Sequence, residues 1–436
     1  MKKYLVLFSL IFIIVFSGTI FGANITFLTD IEGNQAKLIN FFKSNPAFAQ
    51  DSDGKYHLKA DFIFVHGGDI CDRFPGERLV MREFLRLKQE TPDRVILIAG
   101  NRDINKIRIP VELSDSAIKT DPIFKSDDFH QWIQGKNLPN NRSNRLKWIL
   151  ERTMGSPSAF ELRRSELASE NGVNPAAISD DQVTGSYLSD TTPGGLLFRI
   201  LKSSVIMAHV GKTLFVHSGI CSQSLGKIPG SLHRKISIVK WETNLNEWFQ
   251  KSLTDWQQNL GHKNIFEYPV GYELVQYVGP APKLTINPES VVYGREVDQE
   301  GKVALPPEDV INFLKENGFF RLVLGHTPSG QFPVIERLPD QSFEMVVGDT
   351  SYSPRTDEAP HIFFTGPDER TTTIQGQISF DEKMVVPISF SIEAGEKTII
   401  GSHLPSNAVV IAPFKDGYLT YRLLPGFKVQ YDYFKP

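Results

Sequence analysis

Cysteine is nearly absent: the 436-residue chain holds two, Cys71 and Cys221. With so few thiols the chain is no disulfide-stapled scaffold, and a large apolar core has to hold it together. Net charge is equally scant, −3 from 47 basic and 50 acidic residues. No molecule-wide field attracts nucleic acid, and no nucleic-acid partner is expected. Internal repeats and low-complexity tracts are also missing. Long apolar runs are confined to the N-terminus, where Lys2 and Lys3 precede "YLVLFSLIFIIVF" and the small residues Ser17, Gly18, Gly22 and Ala23 follow. That layout is a secretory signal peptide over residues 1–22. The rival is an uncleaved anchor, since the run extends to Phe21 and approaches the ~17–25 residues of a membrane span. The chain is expected to be secreted or extracytoplasmic, or else membrane-anchored and facing away from the cytosol; the membrane is a partner only in the second case. An exported chain can pair Cys71 with Cys221, against the plainer alternative of two free thiols, and Asn141-Arg142-Ser143 fits a glycan acceptor.

What is present is a recurring pattern. Five short apolar runs end in polar residues: "ITFL" leads into "TDIEGN", "FIFV" into "HGGDICDR", "VILIA" into "GNRD", "LFV" into "HSG" and "LVL" into "GHTP". Aliphatic runs without polar alternation are expected of strands buried on both faces. Helical spacing recurs between them, at 77–88, 144–152, 196–202, 241–259 and 308–317. Alternating strands and helices predict an α/β fold, and in such sheets the ligand crevice lies beyond the carboxyl ends of the strands. All five polar clusters fall there, on loops following the strands.

Residues 104–201 form a largely helical insertion, expected either to cap the site or to be a decoration remote from it. From 356 the pattern changes to β-rich runs such as "TTTIQGQISF" and "MVVPISFSI", either a second sheet of the same core or a small appended domain. The expected organisation is therefore a leader over 1–22, a main domain over 24–355 and a β-rich region over 356–436.

The clusters supply Asp30, Glu32, Asp69, Asn101, His217 and His326. Oxygen and nitrogen donors without thiolate suit Mn, Fe, Zn or Mg. With one carboxylate bridging, such a set can hold two ions ~3.5–4 Å apart, an arrangement used in phosphoester hydrolysis.

In order, "DIE", "GDICD", "GNRD", "FVHSG" and "LGHTP" resemble the motifs of a calcineurin-like metallophosphoesterase, over roughly 25–352. "GDICDR", "LFVHSGI" and "GHTP" are more similar to its phosphoprotein-phosphatase branch than to its cyclic-nucleotide phosphodiesterases. The resemblance implies two central β-sheets flanked by helices and two divalent ions, manganese first, with Fe, Zn or Mg as alternatives. By the same resemblance Asp30 and Asp69 bind the first ion, and Asp69 bridges to a second held by Asn101, His217 and His326. Arg73 is implied to grip the phosphate, Asp103 to support the third motif, and Arg295 of "VVYGRE" to be a phosphate-binding or merely structural arginine; Asp349 has a supporting place. The implied reaction is attack of a metal-bridging hydroxide on a phosphomonoester of a phosphorylated substrate. Phosphoprotein is the first substrate expected, a nucleotide or dinucleotide polyphosphate the alternative, and a phosphate-binding module without turnover the alternative of another class.

Two departures stand out. Glu32 takes the place of the first motif's histidine, a harder donor that tilts preference toward Mn or Mg. Arg102 replaces the histidine that assists the leaving group in the family, and an arginine cannot exchange protons near neutrality. Three readings follow: Arg102 stabilises charge on the phosphate or leaving group; another group, among Asp103, His66, His209, His233 and His262, donates the proton; or turnover is lost. His57, His130, His361 and His403 are expected to be structural or on the surface.

Overall fold

The computed structural model describes residues 24–115, 127–231, 236–259, 273–279, 287–298, 302–380, 384–424 and 428–436. The leader or anchor over 1–22, and His233 and His262, lie outside the described residues. No helix among the described residues is long and apolar enough to cross a membrane.

Two sheets carry the core. One has six strands in the spatial order Val385–Glu393, Thr371–Ser379, His361–Thr365, Asn24–Leu28, Phe62–His66 and Val95–Leu97. Within it Asn24–Leu28, Phe62–His66 and Val95–Leu97 run parallel, with Ile25 opposite Ile63. The other has five, Met207–Val210, Thr213–Val216, Arg321–Leu324, Glu344–Val347 and Val334–Arg337, of which the second, third and fourth are parallel. The sheets face each other through aromatic contacts: Phe27 lies 5.8 Å from Phe215, and Phe215 6.0 Å from Phe364. Every residue of Thr213–Val216, Arg321–Leu324 and Glu344–Val347 is buried. Burial on both faces is why these strands show no alternation in the sequence. Helix Glu77–Glu90 covers the first sheet with Val80, Met81, Phe84 and Leu87, spaced at three- and four-residue intervals.

The β-rich tail is not an appended body. Its strand His361–Thr365 pairs antiparallel with Asn24–Leu28, Ile25 opposite Phe364, and two further tail strands extend that sheet. Only the meander of Val409–Phe414, Gly417–Leu424 and Lys428–Phe434 forms a sheet of its own. No structural break therefore coincides with residue 355.

The insertion has a core of its own, built from residues such as Ile109, Phe129, Trp148, Phe160, Val183 and Tyr187. Ile104, Ile107 and Leu197 to Leu201 pack instead with the main core, so its independent body is narrower than 104–201. The helix predicted over 144–152 spans Arg142–Trp148, because the Asn141 side chain accepts the Asn144 N–H and caps it there, and it continues as a wide π-turn over Ile149–Thr153. Asn141 thus commits its amide oxygen to the cap. A buried ionic cluster fixes the insertion to helix Glu77–Glu90: Arg163 reaches Glu77 at 2.9 Å and Asp190 at 2.8 Å, and Arg78 reaches Asp190 at 2.7 Å. Cys71 and Cys221 are both free thiols, and Cys71 is buried.

Candidate active site

Six parallel strand ends converge on one place. Asn24–Leu28 leads to Asp30 and Glu32, Phe62–His66 to Asp69 and Asp72, and Val95–Leu97 to Asn101 and Arg102; from the second sheet, Thr213–Val216 leads to His217, Arg321–Leu324 to His326 and Glu344–Val347 to Asp349. The backbone is forced to turn sharply there. Asp30, Glu32, Asp69 and His326 have φ of 50°, 47°, 55° and 61°, the left-handed region that non-glycine residues enter at a cost and that collects at functional sites. Two motif glycines are fixed by proximity, since a Cβ on Gly100 would lie 2.1 Å from Asp69 Oδ1 and one on Gly325 2.1 Å from Asp30 Oδ2.

The residues after Gly100 do not form the loop that was expected. Asn101–Asn105 is a short helix, because Asp103 at its third position accepts the N–H of Gly100 at 3.1 Å. The other Asp103 oxygen accepts the Ile70 N–H at 2.8 Å, which ties the second motif to the third. Asp103 therefore positions two loops and does not face the ligand set.

Asp69, His217 and His326 present ligand atoms within 4.8 Å of one another, all three buried. His217 Nδ1 donates to the Gly67 carbonyl at 2.8 Å, which leaves Nε2 to face Asn101 Oδ1 at 3.0 Å and Asp69 Oδ1 at 3.3 Å. An imidazole lone pair, an amide oxygen and a carboxylate oxygen cannot converge in a buried site without a cation between them, either a proton or a metal ion. Burial opposes the proton, but the Asp69 carboxylate and its hydrogen bond outweigh it and raise the His217 imidazolium to about 9. His326 is the reverse case: burial, and then Arg295, hold it below its ordinary value, and its Nε2 is buried with no hydrogen-bond partner. The donor set of Asp69, Asn101, His217 and His326 fits a divalent ion.

Of the implied metal ligands, Glu32 and Asp30 stand outside that set. Glu32 Oε1 lies 2.9 Å from Arg102 Nε, and its Oε2 lies 3.3 Å from Arg73 Nε. Asp30 accepts the Thr29 hydroxyl at 2.6 Å and the His326 N–H at 3.1 Å. Neither joins the one cluster of three or more metal-ligating acids and imidazoles among the described residues. Burial raises the Glu32 carboxyl to about 8 even against Arg102, and burial with Asp349 raises Asp30.

Arg102 is enclosed by protein. Besides Glu32 it meets Asp69 Oδ2 at 3.5 Å, Asp72 Oδ2 at 3.4 Å and the Ser156 hydroxyl of the insertion at 2.9 Å. Its Nε and Nη1 are thus directed at carboxylates and Ser156, which argues against the phosphate-holding role expected of it. Arg73 is the better placed phosphate donor: it stacks 3.7 Å from the Tyr352 ring centroid, and its Nη1 is buried without a hydrogen-bond partner. Arg295 comes to the same region, donating to the His326 carbonyl at 3.3 Å.

Sequence reasoning missed Lys37, Lys106, Ser156 and Tyr352. Lys37 is buried, 3.2 Å from the Thr350 hydroxyl, with Asp349, Asp30 and Glu32 as its charged neighbours. The signal was present, since Lys37 shares a buried helix stripe with Leu38, Phe41 and Phe42. Lys106 pairs with Asp72. The described histidines outside the trio are engaged elsewhere, His66 against Phe84 at 4.5 Å, His209 with Glu242, His57 with Asp51 and Glu90, His361 with Asn45, and His403 with Glu336; His130 lies beside Phe129.

The sequence matches the family described as calcineurin-like phosphoesterase over residues 23–330. Among solved structures, the chain is similar to a cold-active protein-tyrosine phosphatase of a psychrophilic Shewanella species (TM-score 0.41, 14% identity, covering 81% of this chain and 77% of that one). It is also similar to a protein serine/threonine phosphatase from Saccharomyces cerevisiae (0.37, 12%, 87% and 82%) and to a metallophosphoesterase from Sphaerobacter thermophilus (0.30, 10%, 79% and 84%). No curated protein sequence matches. With the family matched over most of its length, the chain belongs to the calcineurin-like phosphoesterases, metal-dependent hydrolases of phosphoesters.

Proposed function

We propose that the chain hydrolyses phosphomonoesters whose leaving groups need little protonation, such as aryl phosphates and phosphotyrosine in proteins, with nucleotide or dinucleotide polyphosphates as the second substrate class. The observation that carries this reading is the convergence of Asn101 Oδ1, at 3.0 Å, and Asp69 Oδ1, at 3.3 Å, on His217 Nε2, together with a buried guanidinium nitrogen of Arg73 that has no hydrogen-bond partner. Asp69, Asn101, His217 and His326 would hold a divalent ion at that convergence, manganese first, which would supply positive charge to a phosphoryl oxygen and lower the pKa of water. The rest falls to the chain. Gly67 fixes the His217 ring, Asp103 fixes the backbone of the second and third motifs, and Tyr352 holds the Arg73 plane so that its Nη atoms can grip a phosphate oxygen.

The leaving group is the weak point of the site. Arg102 cannot donate a proton at neutral pH, Asp103 spends both oxygens on backbone N–H groups, His209 is paired with Glu242, and burial lowers His66 to about 3, so that it is no imidazolium near neutrality. That favours aryl and phosphoanhydride leaving groups over alkyl ones. A manganese-supplemented assay across p-nitrophenyl phosphate, phosphotyrosine and phosphoserine peptides, ATP and a dinucleotide polyphosphate tests it. Aryl or anhydride substrates are expected to turn over at least tenfold faster than phosphoserine; equal rates would sink the leaving-group reading. No turnover of any substrate by protein carrying bound ion would favour the binding module instead. The lysine-led apolar segment supports export, or anchoring with the catalytic domain facing away from the cytosol, and in either case the substrates would lie outside the cytosol.

A further inference from the structure

Two acids of the first and second motifs, Glu32 and Asp72, are already paired with cations of the protein. Glu32 lies between two guanidinium groups, Arg102 at 2.9 Å and Arg73 at 3.3 Å. Asp72 lies between Arg102 at 3.4 Å and Lys106. Behind them Lys37 is buried among Asp30, Glu32 and Asp349. Arg102 is the centre of this arrangement: its Nε and Nη1 meet Glu32, Asp69 and Asp72, acids of the first and second motifs, and Nη1 also donates to the Ser156 hydroxyl of the insertion.

A guanidinium in that position competes with a divalent cation for the same Glu32. Their charges repel at close range, and Glu32 Oε1 is already committed to Arg102 at 2.9 Å. Asp69 has a different balance. Its Oδ1 accepts only the Arg102 backbone N–H at 2.9 Å and otherwise faces His217, so its coordination toward the histidines stays open.

We propose that this protein binds a single divalent ion, at Asp69, Asn101, His217 and His326, and that the Arg102 guanidinium occupies the place and supplies the charge of the other. Arg102 is then a positioning residue that holds Glu32 and Asp69 in place, and the site works with one exchangeable ion and one covalent cation. Two consequences are chemical. Glu32 is an anchor for arginines and not a metal ligand. The site binds its ion without the cooperativity of a coupled pair.

The inference rests on the reading that the Asp69 cluster holds an ion, and the test separates the two. Purified protein is stripped with chelator, loaded with Mn²⁺ and freed of excess by gel filtration; its metal content and frozen-solution EPR spectrum are then measured. One manganese per chain with the six-line spectrum of an isolated ion is expected. Two per chain with an exchange-coupled multiline spectrum would overturn the inference and leave the metal site standing. No retained manganese, with Zn²⁺ giving the same result, would overturn both. In folded Arg102→Ala, Glu32 is released and the content is expected to rise to two with coupling, whereas Arg102→Lys stays at one. A folded Arg102→Ala that still binds one ion would remove Arg102 as the cause. Should that variant fail to fold, the wild-type spectrum still decides.

Discussion

Replacing Arg163 by methionine tests how the insertion is held to the catalytic core. The Arg163 side chain is 2% exposed and faces Glu77, 4% exposed, and Asp190, 6% exposed. It also lies 4.3 Å over the Tyr187 ring. Methionine fills most of the stem volume, so the cavity contribution is small. The loss comes from the acids left behind. Asp190 keeps Arg78, with two contacts at 2.7 and 2.9 Å, but Glu77 loses its nearest cation and keeps the field of Lys106 with the weaker Cys71 thiol and Tyr187 hydroxyl contacts. Removing one partner of a buried ion pair costs about 3–5 kcal/mol, and the retained Arg78 contact puts this case near the lower end. Urea unfolding followed by tryptophan fluorescence reads it directly, because Trp132 and Trp148 sit in the insertion's own core. A loss of about 3 kcal/mol is expected, with at least ~1 kcal/mol recovered when Glu77→Gln is added, since the stranded charge is then removed. A loss below about 1 kcal/mol, or no recovery in the double variant, would refute the idea that this cluster is the fastening.

Other outcomes follow from single contacts. In Gly100→Ala the new methyl would meet Asp69 Oδ1 at 2.1 Å and Asp69 N at 2.2 Å, so bound metal should fall at least tenfold on metal analysis while far-UV circular dichroism is retained. Burial raises the Glu296 carboxyl to about 8. The folded state therefore holds a proton that the unfolded chain loses above its ordinary value, and stability should fall by about 1.4 kcal/mol per pH unit between roughly pH 5 and 8 from this group, a slope that Glu296→Gln should abolish in denaturant titrations. Arg73→Ala should lower kcat/KM for p-nitrophenyl phosphate about 10²–10³-fold with metal content unchanged, as expected for loss of one preorganised donor to the phosphate; a change under threefold would reassign that role.

The positions of the candidate cluster, Asp69, His217 and His326, were legible because each lies in a contiguous motif at the end of an apolar run, which is a local signal. The partnership of Arg102 with Glu32 was not, since the two are 70 positions apart (102 − 32) and only the fold brings the first and third strand ends together. The same holds for the tail. Its strands were readable from composition, but their pairing with Asn24–Leu28 joins residues at opposite ends of the chain, and hydropathy does not specify which sheet edge a strand completes. The short helix at Asn101–Asn105 was lost to a preference for loops after glycine, although Asp103 at its third position was a capping signal in plain view.

Most direct is the turnover of p-nitrophenyl phosphate by chelator-stripped protein before and after Mn²⁺ is returned, with Asp69→Asn treated alongside. Wild type should be inactive when stripped and active when reloaded, and Asp69→Asn should stay at least ~10²-fold below it, because Asp69 is the acid of the metal cluster. Equal activity of stripped and reloaded wild type, or Asp69→Asn at the wild-type rate, would contradict a metal-dependent phosphoesterase centred on Asp69.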